Sequence, residues 1–152
     1  MPHPSVVIDP PLVATEIEFI AAFTGEGGVR RIRRVWPGQP AHRCPWRPSG
    51  DGHHLELDEA AAAEDADSVA SWLRFLSREF LAPSTAASLD VALSHGLRGG
   101  HRLTGEIALR DGRRVIVELG RVTEVVPPPP APPQRDAVVL DLAARRQLQT
   151  DR

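Results

Sequence analysis

Six prolines between residues 127 and 135 are the feature that most limits how this 152-residue chain can fold. Proline lacks the backbone N–H that a helix interior or a central strand needs, so neither element continues through this segment. The run predicts a semi-rigid polyproline II spacer of roughly 25–30 Å. It divides the chain into a domain of residues 1–126 and a C-terminal tail of residues 136–152.

The distribution of apolar side chains supports this division. Of the 43 Val, Ile, Leu, Met, Phe and Trp residues, 38 lie in residues 1–126, which is enough for one modest hydrophobic core. No apolar run approaches the roughly 18–20 residues that span a bilayer, and the N-terminus has no secretory signal pattern. One cysteine excludes an internal disulfide framework, and a net charge of −2 argues against a general polyanion binder. We expect a cytoplasmic domain that does not bind a membrane.

The composition also predicts a source. All 18 basic residues are arginine, and lysine, tyrosine and asparagine do not occur. Those three residues use AT-rich codons, so the sequence indicates a high-GC genome such as that of an actinobacterium or its phage. The excess of arginine over lysine is therefore no evidence for phosphate recognition, although arginine suits that role.

The first half of the domain predicts a strand, a helix and an irregular region. Residues 5–9 are β-rich and stop at two prolines, and a helix with capping-box spacing at Thr15-Glu16-Ile17-Glu18 follows and ends at Gly25. Residues 29–36 favour a strand without a clean period. Residues 37–52 predict a loop or irregular hairpin, and 53–58 predict a strand.

The clearest helix covers residues 67–81. Its apolar residues form one stripe, with a cap at Asp67 or Ser68 and a stop at Pro83. The stripe consists of Val69, Trp72, Leu73, Leu76 and Phe80, and we expect it to lie in the core. Residues 85–95 predict a second short helix capped by Ser84, although Leu89, Val91 and Leu93 also alternate as in a strand.

The end of the domain predicts a three-stranded meander. Leu103, Ile107 and Leu109 alternate, Asp111-Gly112 predicts a two-residue hairpin turn, and Val115, Val117 and Leu119 alternate again. Gly120-Arg121 predicts the next turn, before a strand over 122–126. The predicted class is α+β, with a two-layer, mostly antiparallel sheet whose C-terminal meander packs on the Ile17 and Trp72 helices.

A basic stretch is one candidate site. Residues 29–50 carry six arginines and no acid, with tryptophans among them, a pattern that can bind a nucleic-acid backbone and stack bases. The candidate residues are Arg30, Arg31, Arg33, Arg34, Trp36 and Arg43. Residues 51–67 carry seven acids and no arginine. If 29–36 and 53–58 are neighbouring strands, the two blocks can instead neutralise each other.

Metal and catalytic motifs are weak. His42, Cys44, His53 and His54 are of metal-ligating type, but the usual spacing is missing, so we predict no metal and no cofactor. Cys44 with a histidine and Asp51 could form a catalytic triad, yet Cys44 precedes Pro45 in a proline-rich loop and has no helix N-terminus to lower its pKa. The sequence has no phosphate-binding loop and no G-x-S-x-G motif. We assign no catalytic residue, and an enzyme stays a minor alternative.

The tail is the candidate site that the sequence favours. Asp136 can cap a short helix, and arginines near its end suit the helix dipole. A short helix carried beyond a rigid spacer suits helix-in-groove binding of a protein partner. The alternatives are a tail without fixed structure and a tail packed on its own domain. The predicted partner-binding residues are Val138, Val139, Leu140, Leu142, Arg145 and Arg146. The leading hypothesis is a non-catalytic protein-binding module.

Several short motifs together resemble a known group. They are Ile8-Asp9-Pro10-Pro11-Leu12, Trp36-Pro37-Gly38-Gln39-Pro40, Cys44-Pro45-Trp46 with Asp51-Gly52, Trp72-Leu73 to Phe80-Leu81-Ala82-Pro83, and Gly105-Glu106-Ile107. Over residues 5–126 the chain resembles a family of small proteins of unassigned activity from actinobacteria and their phages. The resemblance implies a fold and a taxonomic range and no site. Residues 84–101 and the proline-rich tail depart from the family pattern.

Overall fold

The computed structural model describes residues 3–25 and 36–133. Within them, six strands form one open sheet in the order β2-β3-β1-β4-β5-β6, and all neighbours are antiparallel. The strands are β1 (Ser5–Asp9), β2 (Trp46–Pro48), β3 (His54–Leu57), β4 (Arg102–Ala108), β5 (Arg114–Glu118) and β6 (Arg121–Val125). The strand that comes first in the sequence therefore lies near the middle of the sheet.

Four α-helices accompany the sheet: α1 (Ala14–Thr24), α2 (Glu59–Glu64), α3 (Asp67–Leu76) and α4 (Ala86–Ser94). A π-helical turn over Ser77–Leu81 continues α3 and closes with a 2.7 Å bond from Ala82 N–H to the Ser77 carbonyl. The predicted α+β class, with a strand meander packed on helices, is confirmed.

The predicted apolar stripe forms the centre of the core. Val69, Trp72, Leu73, Leu76 and Phe80 are each at most 1% exposed. The indole Nε1 of Trp46 on β2 donates to the Val69 carbonyl at 3.0 Å, so the edge strand is fixed to α3. Because the stripe continues through the π turn, the predicted helix over 67–81 matches α3 and that turn together.

Both turns of the C-terminal meander differ from their predictions. The first loop has three residues, because Leu109 N–H bonds to the Arg113 carbonyl and only Gly112 has positive φ. The second turn is Leu119-Gly120, one residue earlier than predicted, and both of its residues have positive φ. Leu119 is 73% exposed, so it ends the alternation of β5. Two-residue turns that follow the twist of a hairpin need positive φ at both positions, and this shifts Arg121 into β6.

The starts of the helices also differ from those that the sequence predicts. Helix α1 begins one residue before Thr15, and Glu16 rather than Glu18 accepts the N-cap N–H, that of Val13, at 2.9 Å.

Helix α4 is capped by Thr85, not Ser84, through a reciprocal pair with Ser88. The strand alternative for this segment is wrong. Helix α2, capped by Asp58, was not predicted because its alanines give no apolar period.

Candidate functional site

The core closes before the proline spacer begins. Among the described residues, the last fully buried core side chain is Val117, and Val122 packs against the core half-buried. Residues 127–133 are all exposed. A Cβ atom built on Gly112 would lie 3.4 Å from Cγ of Pro127, so the spacer starts beside the β4–β5 turn. The predicted tail residues 136–152 lie outside the described residues, as do residues 26–35.

An apolar groove of about 390 Å³ opens between α2 and the β4–β5 turn. Its volume lies at the lower end of the range for ligand-sized clefts. Four of its ten lining residues are alanine, so a partner backbone can approach closely at these positions. The apolar part of the lining consists of Pro4, Leu57, Ala62, Ala63, Ala66, Ala108 and Leu109.

Charged side chains stand at the rim of this groove. Glu59 and Arg110 face each other with Oε2 and an Nη atom 3.5 Å apart, and both side chains are more than half exposed. Asp111 completes the rim. Such an exposed pair contributes little to stability, so its members can exchange partners at small cost.

The described arginines of the basic stretch pair with the acidic block. Arg47 contacts Asp58 at 2.7 Å, and Arg43 contacts Asp58 at 3.3 Å and Glu64 at 3.4 Å. Burial raises the pKa of Asp58, but N–H groups of α2 and the two arginines outweigh it and leave the pKa below its usual value. Arg30, Arg31, Arg33 and Arg34 lie outside the described residues. Both edges of β3 are paired, one with β1 and the other with β2, so the neighbour that the sequence offered for 53–58, a strand over 29–36, is wrong.

Trp36 belongs to the aromatic core rather than to an open surface. It is half-buried, and its ring packs edge-on against Phe23 and Phe80, with centroids 6.0 and 5.2 Å away. A ring held in this way presents little area for base stacking. Of the predicted nucleic-acid residues, the structure therefore ties Trp36 to the core and Arg43 to acidic partners.

The histidines and the cysteine do not converge. Cys44 is buried, its thiol lies 3.7 Å from the Trp46 carbonyl, and burial raises the pKa of Cys44 to about 12. A thiol with this pKa is a poor nucleophile at neutral pH. In residues 3–25 and 36–133 no group of three or more His, Cys, Asp or Glu side chains could hold a metal ion.

Glu16 and His101 form a buried pair, and among the described residues they are the only buried side chains of acidic or basic type. Glu16 Oε1 lies 3.0 Å from His101 Nε2, and the two residues are 0% and 1% exposed. The other ring nitrogen, Nδ1, lies 2.6 Å from the Pro10 carbonyl, which only accepts. Since Nδ1 must donate there, a proton lies between Oε1 and Nε2.

Backbone donors complete the Glu16 environment. Arg98 N–H donates to Oε1 at 2.7 Å, and Val13 N–H donates to Oε2. Burial raises the pKa of the Glu16 carboxyl, but these bonds and His101 outweigh it, so the pKa is below its usual value of 4.5. The pair joins α1 to the loops around Pro10 and Arg98.

No sequence pattern predicts this pair. In the sequence, Glu16 stands out only through its capping-box spacing, and His101 belongs to no motif. The only available signal was an acid in the first helical turn, which usually faces water. The groove was missed as well, because its walls come from Pro4, α2 and the β4–β5 turn.

Comparison of the chain with protein-family models, with curated proteins and with solved structures finds no match. In the described part of the chain, no helix is long and apolar enough to cross a membrane.

Proposed function

We propose that this protein is a non-catalytic protein-binding module that engages a protein partner through its C-terminal tail. The binding side chains are Val138, Val139, Leu140, Leu142, Arg145 and Arg146. As part of the same proposal, the module works in the cytoplasm of a high-GC bacterium or its phage, within the actinobacterial group that it resembles.

The observation that supports this proposal is a core that closes without the tail. The last fully buried core residue in the described chain is Val117, and the spacer prolines from 127 to 133 are exposed. The four large apolar residues from 138 to 142 are therefore not needed to fill the domain. Apolar side chains beyond a completed core gain stability by packing against another surface.

Affinity capture with paired tail variants tests the proposal. The full chain is immobilised beside the double variants Leu140→Asp/Leu142→Asp and Gln147→Asp/Gln149→Asp, which carry the same added charge. We expect the wild type and the Gln variant to retain the same protein from an extract of the source organism. The Leu variant should lose it, because two aspartates cannot enter an apolar groove without a large desolvation cost.

A synthetic peptide of residues 134–152 provides the second arm. It should displace the captured protein from the full-length chain, because it carries all the proposed contacts. Retention of the same protein by the Leu variant, or no displacement by the peptide, would show that the tail does not carry the binding.

The nucleic-acid alternative has no support from the described residues beyond exposed arginine charge. Its remaining candidates are Arg30, Arg31, Arg33 and Arg34. Phosphate contacts would make binding fall steeply with salt, so absence of duplex binding at about 50 mM salt in a filter assay removes it.

A further inference from the structure

The groove between α2 and the β4–β5 turn opens where the chain leaves the domain. Asp111 lines the groove, and a Cβ atom built on the adjacent Gly112 would lie 3.4 Å from Pro127, the first residue of the spacer. We propose that this groove is the docking site of the chain's own residues 136–148 when no partner is bound. The inference rests on the proposed function in one respect: the same apolar side chains serve the groove and the partner, so the two compete.

The lengths of the two segments match. From Pro127 to Pro133 a polyproline II helix extends by roughly 19 Å, at about 3.1 Å per residue. An α-helix over residues 136–148 extends by roughly 20 Å, at about 1.5 Å per residue. Residues 134 and 135 lie between them and supply the reversal. A helix that runs back along the spacer therefore brings its C-terminal end to the place where the spacer began.

The groove and the segment have complementary sizes. The α2 wall offers Ala62, Ala63 and the neighbouring Ala66, whereas the segment offers Val138 to Leu142. Small side chains on one surface let large ones on the facing surface fill the space between two backbones. The alanines of α2 therefore leave room for the valine and leucine side chains of the segment.

Their charges are complementary too. The returning helix would place Arg145 and Arg146 near the rim. There Glu59 is exposed, and its Oε2 lies 3.5 Å from an Nη atom of Arg110, which is a weak ion pair. Exposed Glu64 and Asp65 lie at the end of α2. Cations in the last turn of a helix are also favoured by its dipole.

A weak contact is sufficient because it is intramolecular. A segment tethered by a short spacer has an effective concentration of the order of millimolar at a site within its reach. A partner with a deeper groove can therefore displace it.

Amide NMR spectra of the isotopically labelled full chain test the inference. Leu140→Asp/Leu142→Asp should move the amide signals of Ala62, Ala66 and Leu109, and Gln147→Asp/Gln149→Asp should move them much less.

Ala63→Arg, which fills the groove from its exposed wall, should move the signals of Val139 and Leu142. Ala60→Arg, on the same helix but outside the groove lining, is its matched control. The shifts should be the same in dilute and concentrated samples.

Unchanged groove signals in the Leu variant, in a spectrum that is otherwise folded, would overturn the docking. Shifts that grow with protein concentration would also overturn it, because they would assign the groove to a second copy. The two proposals fail separately. If capture depends on the tail but the groove signals do not move, only the docking proposal fails. If the groove signals move but capture does not depend on the tail, only the partner-binding proposal fails.

Discussion

Two charge networks hold distant parts of this chain together, and they differ in their access to water. The Glu16–His101 pair is 0% and 1% exposed, whereas Arg113 keeps 18% of its side chain exposed and contacts Asp67, which is 88% exposed. Yet the acid–base contact in the wetter network is the shorter of the two: Arg113 meets Asp67 at 2.6 Å, against 3.0 Å between Glu16 and His101. Distance alone therefore does not rank the two networks.

The difference lies in what replaces a lost contact. At Arg113, water can solvate Asp67, Asp111 and Glu124 once the guanidinium is gone, so little is lost. At Glu16, the accepting carboxylate is itself fully buried and His101 is 1% exposed, so water cannot easily take the place of the carboxylate beside His101 and the N–H groups of Val13 and Arg98. Their loss of an acceptor leaves buried polar groups unsatisfied, which costs far more than the original bonds contributed.

The largest expected effect follows from this contrast. Glu16→Gln should lower the free energy of unfolding by about 3 kcal/mol, because it removes one partner of a buried pair and turns an amide donor toward other donors. Urea unfolding measures it. Glu18→Gln, exposed on the same helix, is the control and should change the value by less than about 0.5 kcal/mol. Equal effects of the two variants would erase the contrast.

The pH dependence of unfolding tests whether ionisation of the buried pair stabilises the fold. The pKa of Glu16 is lower in the folded protein than its usual 4.5, so its contribution is complete above that value and is lost as pH falls through the folded pKa. The difference in unfolding free energy between wild type and Glu16→Gln should therefore shrink as pH falls below 4.5 and through the lower folded pKa. A difference that stays constant over this range would show that ionisation of Glu16 does not stabilise the fold.

A smaller effect is expected at the wetter network. Arg113→Gln should cost about 1 kcal/mol in low salt and less in high salt, since screening weakens partly exposed pairs. Thermal unfolding at two salt concentrations measures it. Arg114→Gln, which breaks a half-exposed pair with Glu106, is the control and should have less effect. A salt-independent loss at Arg113 would mean that it acts by packing rather than by charge.

The smallest effect is expected from the tail. Ending the chain after Pro133 should change the unfolding free energy by less than about 1 kcal/mol, because the described core closes before the spacer. Docking in the groove adds little, since ordering the segment offsets most of its contact energy. A loss of several kcal/mol would instead make residues 134–152 part of the core, and the protein-binding proposal would lose its basis.

Sequence reasoning succeeded where a local period reports the structure. The alternation in β4 and β5 and the stripe from Val69 to Phe80 each depend on neighbours within one element. It failed at Leu119, where a turn geometry overrides the alternation, and at α2, where alanines carry no period. The Glu16–His101 pair joins residues 85 positions apart. No local pattern reports such a contact, so only the fold reveals it.

The central position of β1 also sets the order in which the sheet can be completed during synthesis. Val7 pairs with His54 on one side and with Thr104 on the other. The ribosome releases β1 first, so one flank of this apolar strand has no native partner until most of the domain has been made. Closing such a long loop is entropically costly and slows folding. Val6, Val7 and Ile8 thus form a segment of the nascent chain that needs protection from other unpaired strands.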